Sequence, residues 1–453
     1  MSGRRRRPQR MLLPALRRVG PAREIRSHAP PATASVPDPD PGRLPDDAGR
    51  DSALHPPETA PPPALHLPET APPVSPALDP AVIRRSLAGI TAGPQQVAGD
   101  FYGYLFAACP ELRGMFPPQM TAQNERLLAA LMKIAQLLDS PDALARYLTQ
   151  LGRDHRKYGV APEHYTPVGE ALLAALRRRC PSWDDAAEAA WAAAYGAASG
   201  AMIAAAATAS GPAYWTGTVT RHETRAHGVA VLEVRTSAPL EFEPGQYVTV
   251  QTGKWHRVWR QFSVACPADL TGDRLELHVR QVPGGWVSTA LVRDTRPGDK
   301  VIIGPPAGTM TTEEAGGRDL LLVAGGTGLA PLKAVAGDIL GRDEAAMSGG
   351  WGHRRRVDLF CGARSPLELY DMPALRELER DYPWFQVHPV ISGEPRYDGL
   401  KGDVADVALA YDSWPDREVF IAGPSAMTAS AIGGFRSAGT PESRVHFDDL
   451  DGP

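Results

Sequence analysis

The stretch LARYLTQLGRDHRKYGVAPEHY, residues 144–165, carries two imidazoles, His155 and His164, on either side of a break at Ala161-Pro162. Either could hold a metal. Leu144, Leu148, Leu151 and His155 share one stripe at helical spacing, so His155 is expected to point into a core. His164 follows Pro162 in the first turn of the next helix, a place suited to proline, and its stripe partners Val168 and Ala171 put it on a flank. Two further polar residues head apolar stripes: Tyr102 before Leu105, Phe106 and Cys109, and Gln123 before Leu127, Leu131, Ile134 and Leu138. A buried phenol or amide left without a partner costs about 1–3 kcal/mol, so something polar is expected inside. A haem meets all three needs at once, with His155 as axial ligand on one side and Tyr102 and Gln123 as donors to a diatomic ligand on the other.

The elements that must carry these residues follow from the pattern along 453 residues, a length that calls for two or three domains. Residues 1–78 combine a basic start, RRRRPQRMLLPALRRVGPAREIRSH, with a Pro/Ala-rich run holding the repeat ALHPPETAPP and ALHLPETAPP. That composition predicts a disordered tail. From 79 to 210, Ala/Leu-rich runs with apolar residues three and four apart predict an all-α domain. From 213 to 315, short alternations such as VAVLEVRT, GQYVTVQT and RLELHVRQV predict the antiparallel strands of a β-barrel or sandwich. From 316 to 453, buried-strand runs alternating with helices predict a parallel α/β sheet. The formal net charge of −4 gives the whole chain no nucleic-acid footprint. No segment reads as a membrane span or a secretory signal, and a cytoplasmic protein is expected. Cys109, Cys180, Cys266 and Cys361 lie far apart without a CxxC pair, which argues against zinc, an iron–sulfur cluster or a disulfide framework.

Over 80–210 the motifs DFYGYLF, ELRGMF, QNERLL and HRKYGVAPEHYTPVGEALL resemble the globin domain of the flavohaemoglobins. The resemblance implies haem b held by His155, ten residues before Tyr165, with Tyr102 and Gln123 as distal donors, and with Phe116 and Leu127 lining the pocket. It also implies that Tyr165 and a glutamate on the last globin helix orient the proximal imidazole from behind. Here that glutamate position is Ala206, and no acid occurs between Trp191 and Ser210. Asp154 stands where the family often has a basic residue facing a haem propionate.

The remainder resembles the reductase module of the same family. PGQYV, WRQFSVA and PGGWVS look like the FAD-binding strands of ferredoxin-reductase-like flavoproteins. The implied flavin residues are Tyr247, Arg260, Gln261, Phe262, Ser263, Gly285, Val287 and Ser288. Arg260 is expected at the pyrophosphate and Ser263 near the reactive flavin nitrogen, while Phe262 replaces the usual tyrosine. LLLVAGGTGLAPLKAV gives strand, Gly-rich turn and helix, the geometry that meets a dinucleotide phosphate. With the later FIAGPSAM it places NADH or NADPH on Gly326, Thr327, Gly328, Leu329, Ala330, Pro331, Gly423 and Pro424. Ala422 replaces a cysteine, and Leu450 stands in place of an aromatic over the flavin ring. Arg364 lies after the second strand of this domain, where a 2′-phosphate could meet it.

The implied activity is electron flow from NAD(P)H through FAD to haem, with dioxygen and nitric oxide as small-molecule ligands and nitrate as product, in a monomer. The alternatives are a diaphorase-like flavin/haem reductase and a globin gas sensor.

Overall fold

The computed structural model describes residues 79–90, 94–226, 228–267, 272–349, 352–414 and 416–448. The expectations for the tail at 1–78 and for Leu450 lie outside them. The first element starts where Asp79 caps it: its Oδ1 accepts from the amides of Ala81 (2.9 Å) and Val82 (3.2 Å), and Pro80 takes the first helical position. Six α-helices follow one another: α1 (Pro80–Ala88), α2 (Pro94–Ala108), α3 (Thr121–Leu137), α4 (Pro141–His155), α5 (Tyr165–Arg179) and α6 (Asp185–Thr208). Helix α6 is tied to α1 by Trp191, whose indole N–H donates to Ser86 Oγ at 2.8 Å. It crosses α4 at Gly152, where a Cβ would stand 2.4 Å from the carbonyl oxygen of Met202. Only glycine lets the two backbones approach so closely.

Helix α6 corrects the expectation that nothing approaches a membrane span. Its 24 residues are long and apolar enough to cross one by length and composition. The cause is alanine, which raises hydropathy while leaving the helix thin, and the helix packs against α1, α4 and α5.

The second region is a nearly closed antiparallel barrel. Strands β1 (Trp215–Thr224), β2 (Val229–Thr236), β3 (Tyr247–Thr252), β4 (Arg260–Ser263), β5 (Arg274–Arg280) and β6 (Lys300–Ile303) pair in the order β4-β3-β6-β1-β2-β5. The ends of the sheet meet through a bridge between Val264 and Leu277. Alternating side chains, among them Val219, Leu232, Val250, Leu275 and Ile303, fill its interior.

The third region is a parallel sheet in the order β10-β9-β8-β7-β11-β12. Its strands are β7 (Leu320–Gly325), β8 (Val357–Ala363), β9 (Phe385–Ile391), β10 (Leu400–Lys401), β11 (Glu418–Ala422) and β12 (Val445–His446). All six residues of β7 are buried: Leu320, Leu322 and Ala324 on one face, Leu321 and Val323 on the other. Burial on both faces explains its uninterrupted apolar run. The chain leaves β7 for β8 on one side and later returns as β11 on the other, so a crevice is expected at the carboxyl ends of β7 and β11.

Candidate functional site

In the helical region, Tyr102 from α2 and Gln123 from α3 stand close enough for the amide to act on the phenol. Tyr102 is buried, and burial pushes its phenol up to about 12 despite the opposing influence of Gln123. Phe101, Phe106 and Phe116 surround its ring at 4.7, 5.7 and 5.4 Å between centroids. His155 ends α4. Its Nδ1 lies 2.7 Å from the carbonyl oxygen of Leu151, which can only accept, so Nδ1 carries the proton. Burial lowers the imidazole pKa below 6.5, and the neutral ring therefore presents Nε2 as a free electron pair.

These residues fit a haem. Phe106, Phe116, Leu127, Leu128, Leu131 and Val168 pack on the helical core yet remain only partly buried, as side chains lining a slot do. A flat apolar macrocycle would cover them, and Nε2 of His155 supplies the ligand atom. His164 does something else: its Nδ1 accepts from the amide of Ala161 at 3.1 Å, capping the short 3-10 turn Pro162–His164 that precedes α5. Tyr165 begins α5, and its carbonyl accepts from Tyr195 Oη at 2.6 Å. Ala206 lies on the last turns of α6, whose end runs beside the end of α4, since Arg156 Nη2 donates to the carbonyl of Gly211 at 2.8 Å.

Just beyond His155, the chain touches the barrel. The Tyr158 ring lies 6.1 Å from that of His155 and 6.2 Å from that of Trp259, the residue before β4. Between them Lys157 is buried, its Nζ donating to Thr249 Oγ1 at 2.9 Å. Burial pushes the phenol of Tyr247, in β3, up to about 12.

Between barrel and parallel sheet lies a crevice of about 930 Å³. It brings Gln261, Phe262 and Ser263 together with Gly326, Thr327, Gly328, Ala330, Pro331, Gly423 and Pro424, residues from opposite ends of the module. Gly328 is required by contact: a Cβ there would lie 2.1 Å from the carbonyl oxygen of Ala422. Tyr247, Arg260, Gly285, Val287, Ser288 and Leu329 are not among its lining residues. Arg260 donates from Nη1 to the Trp259 carbonyl at 2.7 Å, and Ser288 Oγ accepts from the amide of Val282 at 3.2 Å. Arg364 lines the crevice but is paired with Glu368 at 3.0 Å, so its charge is already partly answered.

His278, Arg280, Met310 and Asp448 also line the crevice, and no sequence motif marked them. Asp448 Oδ1 accepts from the amides of Thr309 (2.8 Å) and Met310 (3.3 Å), holding the last described residues against the barrel. Glu276, His278 and Asp371 converge closely enough to hold a cation. Lys333 already supplies one, its Nζ standing 2.8 Å from Glu276 Oε1 and 2.7 Å from Asp371 Oδ2. Among the described residues no disulfide joins the four cysteines.

An α-helical pocket with a ligand-ready histidine, followed by a barrel and a doubly wound sheet around one crevice, defines a haem globin fused to a flavin- and nicotinamide-dependent oxidoreductase. Family models agree: a globin over 99–202, an oxidoreductase FAD-binding domain over 216–312 and an oxidoreductase NAD-binding domain over 322–432. A flavohemoprotein of Bordetella pertussis is 30% identical over 58% of this chain and 71% of its own. A ferredoxin–NAD(P)(+) reductase component of a naphthalene 1,2-dioxygenase system from Pseudomonas putida is 31% identical over 51% of this chain and 67% of its own. The crystal structure of a flavohemoglobin from Malassezia yamatoensis with bound FAD and heme superposes with a TM-score of 0.67, at 21% identity, over 82% of this chain and 97% of its own. The chain belongs to the flavohaemoglobin family, and its cofactors are haem, FAD and a nicotinamide dinucleotide.

Proposed function

We propose that the protein is a nitric oxide dioxygenase, oxidising nitric oxide with dioxygen to nitrate at the expense of NAD(P)H. Bound in their sites, FAD would supply chemistry that links a two-electron donor to one-electron acceptors, and haem would supply the iron. In the overall balance, two nitric oxide and two dioxygen molecules become two nitrates while one NAD(P)H becomes NAD(P)+ and a proton.

The protein's own part is positioning. His155 offers Nε2, and its hydrogen bond to Leu151 fixes the ring. Tyr102, kept protonated by burial, and Gln123 offer hydrogen-bond donors to a polar diatomic ligand, while Phe116 and Leu127 keep water out. Arg260 meets the flavin pyrophosphate, Phe262 and Ser263 its ring, and the turn Gly326–Gly328 with Gly423-Pro424 the nicotinamide dinucleotide. The observation that carries the reading is the Tyr102–Gln123 pair: a buried phenol with an amide beside it inside an apolar helical pocket.

A diaphorase-like reductase is the second reading, favoured by the absence of any carboxylate on α6 between Trp191 and Ser210 to enrich the proximal imidazole in electrons. A nitric oxide electrode separates the two. In aerated buffer with NADH, the dioxygenase consumes nitric oxide and dioxygen one for one and yields nitrate, and Tyr102→Phe slows this severalfold. A reductase oxidises NADH without accelerating nitric oxide loss.

A further inference from the structure

Strand β5 sends Leu275, Leu277 and Val279 into the barrel and turns Glu276, His278 and Arg280 the other way, toward the parallel sheet. Arg280 reaches the Gly-rich turn: a Cβ added at Gly326 would lie 3.1 Å from its Nη2. His278, whose side chain is fully buried, spans the junction. Its Nε2 lies 2.9 Å from Glu276 Oε1, and its Nδ1 lies 2.8 Å from the hydroxyl of Tyr370, a buried residue beyond β8. The carboxylate can only accept, so Nε2 donates, and the hydroxyl occupies Nδ1. With both nitrogens engaged inside the protein, the imidazole is suited to holding the two regions together rather than to exchanging a proton with a ligand.

Lys333 closes the circuit. It belongs to the helix Leu329–Ser348, which begins directly after the turn Gly326–Gly328, and its Nζ donates to Glu276 Oε1 at 2.8 Å and to Asp371 Oδ2 at 2.7 Å. Side chains from three segments thus form one connected network across the junction, and a buried network whose members are satisfied rigidifies what it joins. Val229, Val231 and Met310 join the same regions by apolar contact, which has no direction of its own; the network supplies one. The bridge between Val264 and Leu277 brings Ser263 and His278 to the same level, one residue away along each strand, and both line the crevice. The network therefore stands beside Ser263 on the barrel side. On the sheet side it is anchored in the helix that the Gly-rich turn starts.

We propose that His278 and Tyr370 are positioning residues for hydride transfer: their hydrogen bond, braced by Lys333, sets the separation across the crevice between flavin and nicotinamide. The proposal rests on the assignment of the crevice to those two cofactors. Hydride transfer breaks one C–H bond of the nicotinamide and makes one N–H bond on the flavin, two electrons moving with the proton, so NAD(P)H is oxidised and FAD reduced by the same pair. It requires the reacting atoms to lie about 3–3.5 Å apart, and a displacement of about 1 Å can cost roughly a hundredfold. A contact that fixes how far the barrel and the sheet stand apart acts on that distance through the protein.

The test uses the full-length holoprotein without air. Tyr370→Phe removes one hydroxyl and keeps the ring. At saturating NADH or NADPH, flavin reduction is expected to slow roughly tenfold, a fraction of the loss that a full ångström brings, while FAD content and the half-saturating dinucleotide concentration stay near the parent's. A second readout involves no turnover: the long-wavelength charge-transfer absorption of stacked flavin and nicotinamide, recorded when the oxidised dinucleotide is added to photoreduced protein, should weaken in the variant. His278→Asn, which keeps an acceptor near the place of Nδ1, should retain rate and absorption band better than His278→Leu. Unchanged rate and band in both Tyr370→Phe and His278→Leu, even with lowered stability, would overturn the proposal and leave the network a structural brace. A raised half-saturating concentration with an unchanged maximal rate would overturn it too, assigning the pair to dinucleotide binding. A parent whose flavin neither NADH nor NADPH reduces would overturn the cofactor assignment and the proposal together.

Discussion

His155 and His164 lie nine residues apart in sequence and differ in what their Nδ1 atoms do. In His155 that nitrogen donates to a carbonyl, leaving Nε2 for a metal; in His164 it accepts from an amide and caps a turn. His155→Ala should therefore abolish haem retention, seen as loss of the Soret band after purification. His164→Ala should keep haem and lower stability by about 1 kcal/mol, the usual cost of a lost cap, read in thermal melts. The Leu144-Leu148-Leu151 stripe made His155 legible in the sequence, because helical periodicity reports direction. Lys157 was not legible: a lysine after a helix reads as solvated, and only the barrel's approach, through Thr249 much further along the chain, buries it. Gln261, Phe262 and Ser263 were found by motif, whereas Asp448 and His278 reach the crevice through long-range packing that leaves no local signature.

Among the elements, β7's continuous apolar run states that both its faces are buried, whereas β2, read as an alternating strand, is buried on both faces from Val229 to Leu232 because Val229 and Val231 join the core of the parallel-sheet region while Ala230 and Leu232 fill the barrel. Closure of the barrel was less legible, because the Val264–Leu277 bridge depends on strand curvature rather than on any residue type. The α4–α6 crossing likewise turns on one glycine. Gly152→Val should force the helices apart, costing about 1–3 kcal/mol as overpacking does and loosening haem, with the melting temperature and the haem-loss rate as readouts. A second element-level prediction concerns β5 and α7 (Leu329–Ser348), joined by Glu276 and Lys333. Burial alone would raise the Glu276 pKa, but His278 and Lys333 outweigh it and hold the carboxyl at about 2 against an ordinary 4.5. Its contribution, about 3 kcal/mol by linkage, is fully present above pH 4.5 and fades as pH falls toward 2. Glu276→Gln should be less stable than the parent at neutral pH in denaturant titrations, and the gap should narrow across that window.

At the scale of the molecule, the three regions matter for how they abut: the proximal histidine's helix ends on the barrel, and the barrel shares its crevice with the parallel sheet. Such an arrangement lets electrons pass from nicotinamide to iron within one chain. The most direct measurement is anaerobic stopped-flow mixing of the full-length protein with excess NADH, following flavin and haem bands separately. The account predicts that the flavin bleaches first and the haem then becomes ferrous at a rate independent of protein concentration. A haem that stays ferric, or one whose reduction accelerates in proportion to protein concentration, would contradict it.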